Sequence, residues 1–120
     1  MTIGNTLILI FVAHWAGDFL LQTSSMAVGK SHSMKWLSVH VLVYSGTLFV
    51  FSLILFDLQV AAIFVLVNAT LHWFTDFFTS KLASKYQNQP RIFYSVLGFD
   101  QLVHFSCLTY TYFNFISNTV

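Results

Sequence analysis

Ionisable side chains recur at a spacing of four residues inside stretches of this sequence that are otherwise apolar. Three pairs share the spacing: His14 and Asp18, His72 and Asp76, Asp100 and His104. Residues four apart lie on one face of an α-helix, about one turn from each other. Imidazole nitrogens and carboxylate oxygens together suit zinc, iron, manganese or nickel. The spacing therefore predicts helices that each present a His and an Asp to a common polar or metal site.

His40 adds a candidate from a further predicted helix, which brings the set to seven. The candidate metal ligands are His14, Asp18, His40, His72, Asp76, Asp100 and His104. Seven ligands suffice for two ions about 3.5–4 Å apart with a bridging carboxylate, or for one ion whose ligands are oriented by the remaining residues. The predicted cofactor is one or two divalent metal ions. Zinc is the first candidate, with iron or manganese as alternatives.

The surrounding sequence has the composition of an integral membrane protein. Of its 120 residues, 57% are hydrophobic and 8% are charged, against roughly 25% charged residues in a soluble domain. The net charge of +1 offers no basic surface for nucleic acid, and the single Cys excludes a disulfide scaffold. An ionised Asp at the centre of a membrane helix costs roughly 2.5–3.5 kcal/mol, so these residues are expected to point into the protein.

Four apolar stretches are long enough to cross a bilayer. The predicted spans cover about 5–23, 36–56, 58–80 and 92–117 of a single domain, residues 1–120. Their short connections predict an all-α, up-down four-helix bundle. All basic residues fall in the first and third connections: Lys30, Lys35, Lys81, Lys85 and Arg91. The positive-inside rule then places both loops in the cytoplasm and both termini outside a bacterial inner membrane.

The first and third predicted helices contain the same motif. Residues 14–19 and 72–77 both read H-W-x-x-D-F, which we interpret as a duplicated helical hairpin. With the predicted orientation, the Asp of every pair lies nearer the cytoplasm than its His. This predicts a shallow layer of Asp18, Asp76, Asp100 and His40, roughly 6 Å from a deeper layer of His14, His72 and His104.

Four other polar residues are candidates for supporting the ligands or binding a substrate: Gln22, Lys30, Tyr44 and Gln101. Gln22 and Tyr44 lie one turn beyond Asp18 and His40. Lys30 is either a partner for an anionic headgroup or phosphate at the cytoplasmic surface or a loop lysine that sets the topology. Gln101 lies off the stripe of Asp100, where a helix contact is the alternative to a site role.

Short motifs in the chain resemble those of the small bacterial and phage membrane proteins called domain of unknown function 3307. The matches are H-x-x-G-D-F-x-x-Q from His14, M-A-x-x-K from Met26, His40, H-x-x-x-D from His72 and D-Q-x-x-H from Asp100. The sequence departs from the family pattern at Lys81, which follows Asp76 by five residues rather than one turn. The family name implies no activity. A looser similarity to small membrane proteins described as metal-dependent hydrolases implies metal chemistry at the His/Asp pairs.

These observations favour a membrane-embedded metal-dependent hydrolase with its site in the cytoplasmic half of the bundle. Asp18 and Asp100 are the candidate catalytic carboxylates, because a carboxylate that is not needed as a ligand can take a proton from water. An amphiphilic or phosphate-bearing small molecule is the expected substrate, and the bilayer is the expected surroundings. A transporter or relay of metal ions or protons is the first alternative, and a structural protein with a metal-free core is the second. A homodimer stays open.

Overall fold

The computed structural model describes residues 1–116, and all its regular structure within them is helical. The α-helices are α1 (Ile3–Trp15), α2 (Ser24–Gly29), α3 (Met34–Leu55), α4 (Leu58–Lys85) and α5 (Pro90–Thr111). Two π-helical turns, Ala16–Leu20 and Tyr112–Ile116, continue α1 and α5. The all-α prediction is therefore confirmed. The last predicted span ends at residue 117, which lies outside the described residues.

Side-chain caps define where the helices begin. Thr2, Thr23, Ser33 and Asp57 each accept a hydrogen bond from a backbone N–H of the following first turn. Such residues are favoured at this position because they satisfy a donor that has no partner within the helix. Helix α5 instead begins with Pro90, whose fixed φ suits a first helical position. These caps account for the short connections, of which the one between α3 and α4 is only Phe56 and Asp57.

The distribution of polar and apolar side chains is inverted relative to a soluble protein. Leu42, Ile54 and Leu66 are 70–74% exposed, whereas the His and Asp residues of the predicted site are buried. Three helical segments among residues 1–116 are long and apolar enough to cross a membrane: Ile3–Leu20, Met34–Leu55 and Leu58–Lys85. These features are those of a membrane protein. Helix α5 matches α3 in length but is more polar, so its passage through the bilayer stays a prediction.

The long helices pack around a common interior. Helix α1 contacts α3 and α5, and α4 contacts the same two helices. Helix α2 packs against α3; it lies where the sequence analysis expects only a loop, so residues 1–116 contain five α-helices rather than four. The threonine cap at Thr23 is the local signal that was overlooked. The up-down course and the sides on which the termini lie remain predictions.

The interior is divided into an apolar part and a polar part. Ile10, Leu48, Phe64 and Leu108 belong to a buried apolar cluster. Ile10 precedes His14 by one turn and Leu108 follows His104 by one turn. The apolar cluster therefore packs directly against the polar residues, on the side away from the α1–α3 and α4–α5 connections.

Candidate metal site

Four buried side chains converge on one point between the first π-helical turn, α3 and α4: Asp18, His40, His72 and Asp76. His40 Nε2 lies 3.0 Å from Asp18 Oδ1, 3.2 Å from Asp76 Oδ2 and 3.2 Å from His72 Nε2. His72 Nε2 lies 3.3 Å from the same two carboxylate oxygens. We call these four residues the inner group.

The spacing of the inner group matches that of ligands around a small cation. In a tetrahedral zinc site with bonds of about 2.0–2.1 Å, neighbouring ligand atoms are about 3.3 Å apart. Five of the six distances between the four inner-group atoms are 3.0–3.3 Å. The group therefore has the donor types, the number and the separations of a four-coordinate metal site.

Hydrogen bonds among the four inner-group atoms alone cannot pair all of their donors and lone pairs. If both His40 and His72 carried a proton on Nε2, two N–H groups 3.2 Å apart would point into the same space. If only one did, the lone pair of the other nitrogen would face carboxylate oxygens that are also lone-pair donors. A cation at the centre interacts favourably with all four atoms at once.

The charges of the polar cluster, by which we mean the seven predicted ligands and Lys30, also favour a bound cation. Asp18, Asp76 and Asp100 are buried, and Lys30 is the cation that contacts one of them. With neutral imidazoles these four residues sum to a net charge of −2, which is unfavourable away from water. One divalent cation, or two imidazolium groups, would restore neutrality.

A second convergence of ligand atoms involves Asp18, Asp100 and His104, which we call the outer group. His104 Nε2 lies 3.1 Å from Asp100 Oδ2 and 3.0 Å from Asp76 Oδ1. The Gln101 amide nitrogen donates to Asp18 Oδ2 and to Asp100 Oδ2, each at 2.9 Å. Asp18 thus belongs to both groups, with one carboxylate oxygen facing each.

Lys30 reaches the cluster from the segment that follows α2. Its ammonium group donates to Asp76 Oδ2 at 2.9 Å, the same oxygen that faces the inner group. Burial acts to lower the pKa of Lys30, but the carboxylates of Asp76 and Asp18 outweigh it and hold that pKa above its ordinary value. Gly29 permits this approach, because a Cβ there would lie 2.5 Å from the Trp36 ring. Lys30 is thus a buried partner of Asp76, a contact that neither sequence-based interpretation of this lysine includes.

His14 belongs to neither group, although it lies beside both. Its Nδ1 is 2.9 Å from the Tyr44 hydroxyl, and its Nε2 is 2.7 Å from Gln101 Oε1. Its Nε2 is also 3.5 Å from Asp18 Oδ2. Both ring nitrogens therefore have protein partners, and the role of His14 as a ligand stays a prediction. Gln101 joins α5 to His14 and Asp18 of the α1 segment and also bonds Asp100, so its helix contact is made with residues of the site.

The ring of His72 is fixed by stacking. Its centroid lies 3.9 Å from that of Tyr44 and 4.0 Å from that of His104. The Nδ1 atoms of His40 and His72 are buried and have no hydrogen-bond partner among residues 1–116. Ligating histidines usually donate this N–H to a carboxylate or carbonyl. Stacking on Tyr44 and His104 orients the His72 imidazole instead.

The two predicted layers are not separate in the structure. His40 and Asp18, placed in the shallow layer, lie within 3.3 Å of His72, which was placed in the deep layer. The side chains of residues four apart reach toward each other across one helical turn, as the 3.3 Å contact of His72 and Asp76 shows, so carboxylates and imidazoles meet between the two levels. The result is one interlocked cluster.

Thr79 is a site residue that the sequence analysis missed. Its hydroxyl donates to Asp100 Oδ1 at 2.5 Å, so both oxygens of that carboxylate have partners. The available signal was its position one turn after Asp76 on the same helix. Threonine is common in membrane helices, where its hydroxyl can bond the preceding turn, and so the residue type alone does not single it out.

A cavity of about 390 Å³ opens beside the cluster at the end of the bundle that carries the α2 segment. Asp18, Asp100 and Gln101 line it together with Gln22, whose Oε1 is buried without a hydrogen-bond partner in the described residues. Apolar side chains such as Phe19, Val28, Phe93 and Leu97 form much of the remaining wall. The outer group is therefore the part of the cluster that a small molecule can approach.

Comparisons with known proteins agree with the motifs. Searches of curated proteins and of solved structures find no match. The model of the family described as protein of unknown function (DUF3307) matches residues 6–120. Because this match covers nearly the whole chain, including every residue of the inner and outer groups, the protein belongs to the DUF3307 family.

Proposed function

We propose that this protein is a membrane-embedded, metal-dependent hydrolase that holds a divalent cation in the inner group. The observation that carries the proposal is the convergence of two imidazole nitrogens and two carboxylate oxygens at separations of 3.0–3.3 Å. Zinc is the first candidate for this donor set. The proposed site lies in the half of the bundle that the basic loops place toward the cytoplasm.

The residues around the cavity would supply the rest of the chemistry. A divalent cation held by four ligands can take up a fifth, and such a cation would lower the pKa of a bound water to about 7 and polarise the bond to be cleaved. With Asp18 ligating the ion, Asp100 is the cavity-facing carboxylate that remains to accept the proton of the attacking water. The water oxygen bonds to the scissile phosphorus or carbonyl carbon, the bond to the leaving oxygen breaks, and the leaving oxygen takes a proton.

The cavity favours an amphiphilic substrate with an anionic head. Phe93 and Leu97 offer an apolar wall for an acyl or prenyl chain, while Lys30 and His32 line the same space with cationic or hydrogen-bonding groups. A phosphate head would thus lie beside the cluster and the chain against the apolar helices. We propose the inner membrane as the location, with an up-down course for the long helices.

Transport across the membrane is the weaker proposal, because the polar cluster ends against apolar packing. Ile10, Leu48, Phe64 and Leu108 close the interior on the side away from the cavity. A permeating ion would have to cross this layer without polar partners. A dead-ended cavity is more consistent with a reaction site.

Metal content is the first test. Protein purified in mild detergent, without chelator or metal-affinity resin, should contain at least one equivalent of zinc, iron or manganese by plasma mass spectrometry. His72→Ala should lose most of it, since it removes an inner-group ligand. His32→Ala is the matched control, because His32 lies in the loop outside both groups, and it should retain the metal. Absence of metal in the wild type, with no uptake on reconstitution, would contradict the proposal.

Activity is the second test. Metal-loaded protein should release inorganic phosphate from phosphatidic acid in mixed micelles faster than from the water-soluble 4-nitrophenyl phosphate. Asp100→Asn should lower kcat by about 10²–10⁴-fold, the usual contribution of a general base. Hydrolysis that persists in the presence of a strong chelator, or in the His72→Ala variant, would contradict a metal-dependent reaction.

A further inference from the structure

Gln101 holds together two carboxylates that would otherwise repel each other. Its amide nitrogen is 2.9 Å from Asp18 Oδ2 and 2.9 Å from Asp100 Oδ2. A neutral NH₂ group bridges these oxygens but does not compensate their charge. His104 Nε2 lies 3.1 Å from the same Asp100 oxygen. The outer group thus combines two carboxylates and an imidazole around a donor that carries no full charge.

We propose that a second divalent cation binds in the outer group, held by Asp18, Asp100 and His104. This inference rests on the proposed function, because it adds to the inner-group ion. Asp18 would be the bridging ligand, since its Oδ1 faces the inner group and its Oδ2 the outer group. Two-metal sites of hydrolytic enzymes hold their ions about 3.5–4 Å apart in this way.

The surroundings of Gln101 allow it to change from a bridge to a ligand. Rotation of its amide by half a turn exchanges the oxygen and the nitrogen without changing the shape of the side chain. Its oxygen would then face the cation, and its nitrogen would donate to His14 Nε2. His14 accepts this reversal because its Nδ1 pairs with the Tyr44 hydroxyl, which can either donate or accept.

The second ion would be the one that meets the substrate. Asp18, Asp100 and Gln101 line the cavity, whereas His40 and His72 are fully buried. The outer group offers three protein ligands and an open side toward the cavity, as catalytic metal sites do, whereas the inner group already offers four ligands. In the two-ion form Asp100 would be a ligand, and the second cation would supply the activation of the water that the one-ion form assigns to Asp100.

Charge then specifies the substrate. Two divalent cations and Lys30 together exceed the three carboxylates by two positive charges. The open side would therefore take an anion, which favours a phosphate monoester over a neutral carboxylic ester. The second ion thereby narrows the substrate class to phosphate-bearing amphiphiles.

The test is the number and affinity of bound ions. Metal-free protein in detergent is dialysed against Mn²⁺ and its ions are counted. The wild type should bind two ions and Asp100→Asn one, with the tighter constant unchanged. Gln101→Glu, which supplies a charged oxygen at the same place, should tighten the second ion at least tenfold. Electron paramagnetic resonance should show exchange coupling between the two Mn²⁺ ions of the wild type.

The outcomes separate this inference from the proposed function. One ion in the wild type, unchanged by Gln101→Glu, would overturn the second site and leave the inner-group ion standing. Two ions without magnetic coupling would also overturn it, because they would not share Asp18. No bound ion at all would overturn the proposed function itself. If Asp100→Asn does not fold, the Gln101→Glu titration and the coupling still decide.

Discussion

The two H-W-x-x-D-F motifs share their residues but make different contacts in the structure. In the α4 copy, His72 and Asp76 both contribute to the inner group. In the α1 copy, only Asp18 does, and His14 instead pairs with Tyr44 and Gln101. A repeated sequence has thus produced one copy that supplies two candidate ligands and one that supplies a shared carboxylate and a supporting histidine.

The backbone explains part of this difference. The α4 copy is regular α-helix, whereas in the α1 copy the chain widens into a π-helical turn from Ala16 to Leu20. π-Helical turns are rare in proteins overall, but those that occur often lie at functional sites. The turn brings Gly17 against α3, where a Cβ would lie 2.9 Å from the Tyr44 ring and 3.2 Å from its Cα. In the α4 copy the corresponding residue is Thr75, which is only partly buried.

The lesson is that a sequence repeat predicts a shared scaffold but not shared roles. The i, i+4 contact survives in both copies, at 3.5 Å for His14 and Asp18 and 3.3 Å for His72 and Asp76. What differs is the neighbouring helix. Lys30 reaches only the α4 copy, and Gln101 bonds only the α1 copy.

Charge removal should distinguish the two aspartates most strongly. Asp76→Asn leaves the buried Lys30 ammonium without its carboxylate, and breaking a buried pair in this way costs about 3–5 kcal/mol. Asp18→Asn leaves the contact between Lys30 and Asp76 in place, so its free-energy cost should be smaller. Thermal unfolding of both variants in detergent with excess chelator measures the difference without any metal contribution.

A double variant provides the control for that comparison. Asp76→Asn combined with Lys30→Met should recover part of the lost stability, because it removes the stranded charge. Since the pKa of Lys30 is raised in the folded protein, the contribution of the pair is complete at neutral pH. It should disappear only as the pH rises through that raised value. Equal losses for Asp76→Asn and Asp18→Asn would contradict the unequal roles.

Substitution of the two motif histidines, His14 and His72, should weaken metal binding by different factors. His72→Gln removes an inner-group ligand and should weaken zinc binding more than 100-fold. His14→Gln acts through Gln101 and Asp18 and should weaken zinc binding by about 10- to 100-fold, the usual effect of an outer partner. Competition with a chromophoric chelator measures both constants under the same conditions. A larger effect for His14→Gln would place that residue among the ligands.

Alanine substitutions at the two equivalent positions, 17 and 75, should change the free energy of unfolding by different amounts. Gly17→Ala forces a Cβ against the Tyr44 backbone and ring, and such overpacking costs about 1–3 kcal/mol. Thr75→Ala is the matched change in the α4 copy; it loses only a hydrogen bond to the carbonyl of Leu71 and should stay within about 0.5 kcal/mol. Urea unfolding in detergent checks the pair. A tolerated Gly17→Ala would mean that α1 and α3 can separate without cost.

The membrane class, the helical fold and the convergence of the polar residues could be predicted from sequence. An ionisable residue in an apolar helix has to face inward, so Asp18, Asp76 and Asp100 could be assigned to one site from burial cost alone. The four-residue spacing then supplied the helix faces.

The individual roles could not be predicted, because they depend on contacts between helices. Periodicity places His14 and His72 identically, and they are distinguished by the π-helical turn after His14 and by the position of Gln101 on α5. Likewise, the contact of Lys30 with Asp76 depends on how α2 packs against α3, and the sequence analysis expected no helix there. Pairing across distant segments is set by packing rather than by local pattern.

The smallest expected difference lies between the two tryptophans that follow the histidines. Trp73 donates from its indole nitrogen to the Ser38 hydroxyl at 3.2 Å, whereas Trp15 is half-exposed. Trp73→Phe should therefore cost about 0.5–1.5 kcal/mol, the net contribution of a hydrogen bond, and Trp15→Phe should cost less. A double-mutant cycle with Ser38→Ala isolates the bond. A coupling energy of zero would show that the bond between Trp73 and Ser38 adds nothing to the packing of α4 on α3, so that the motif's Trp has no more role there than in the α1 copy.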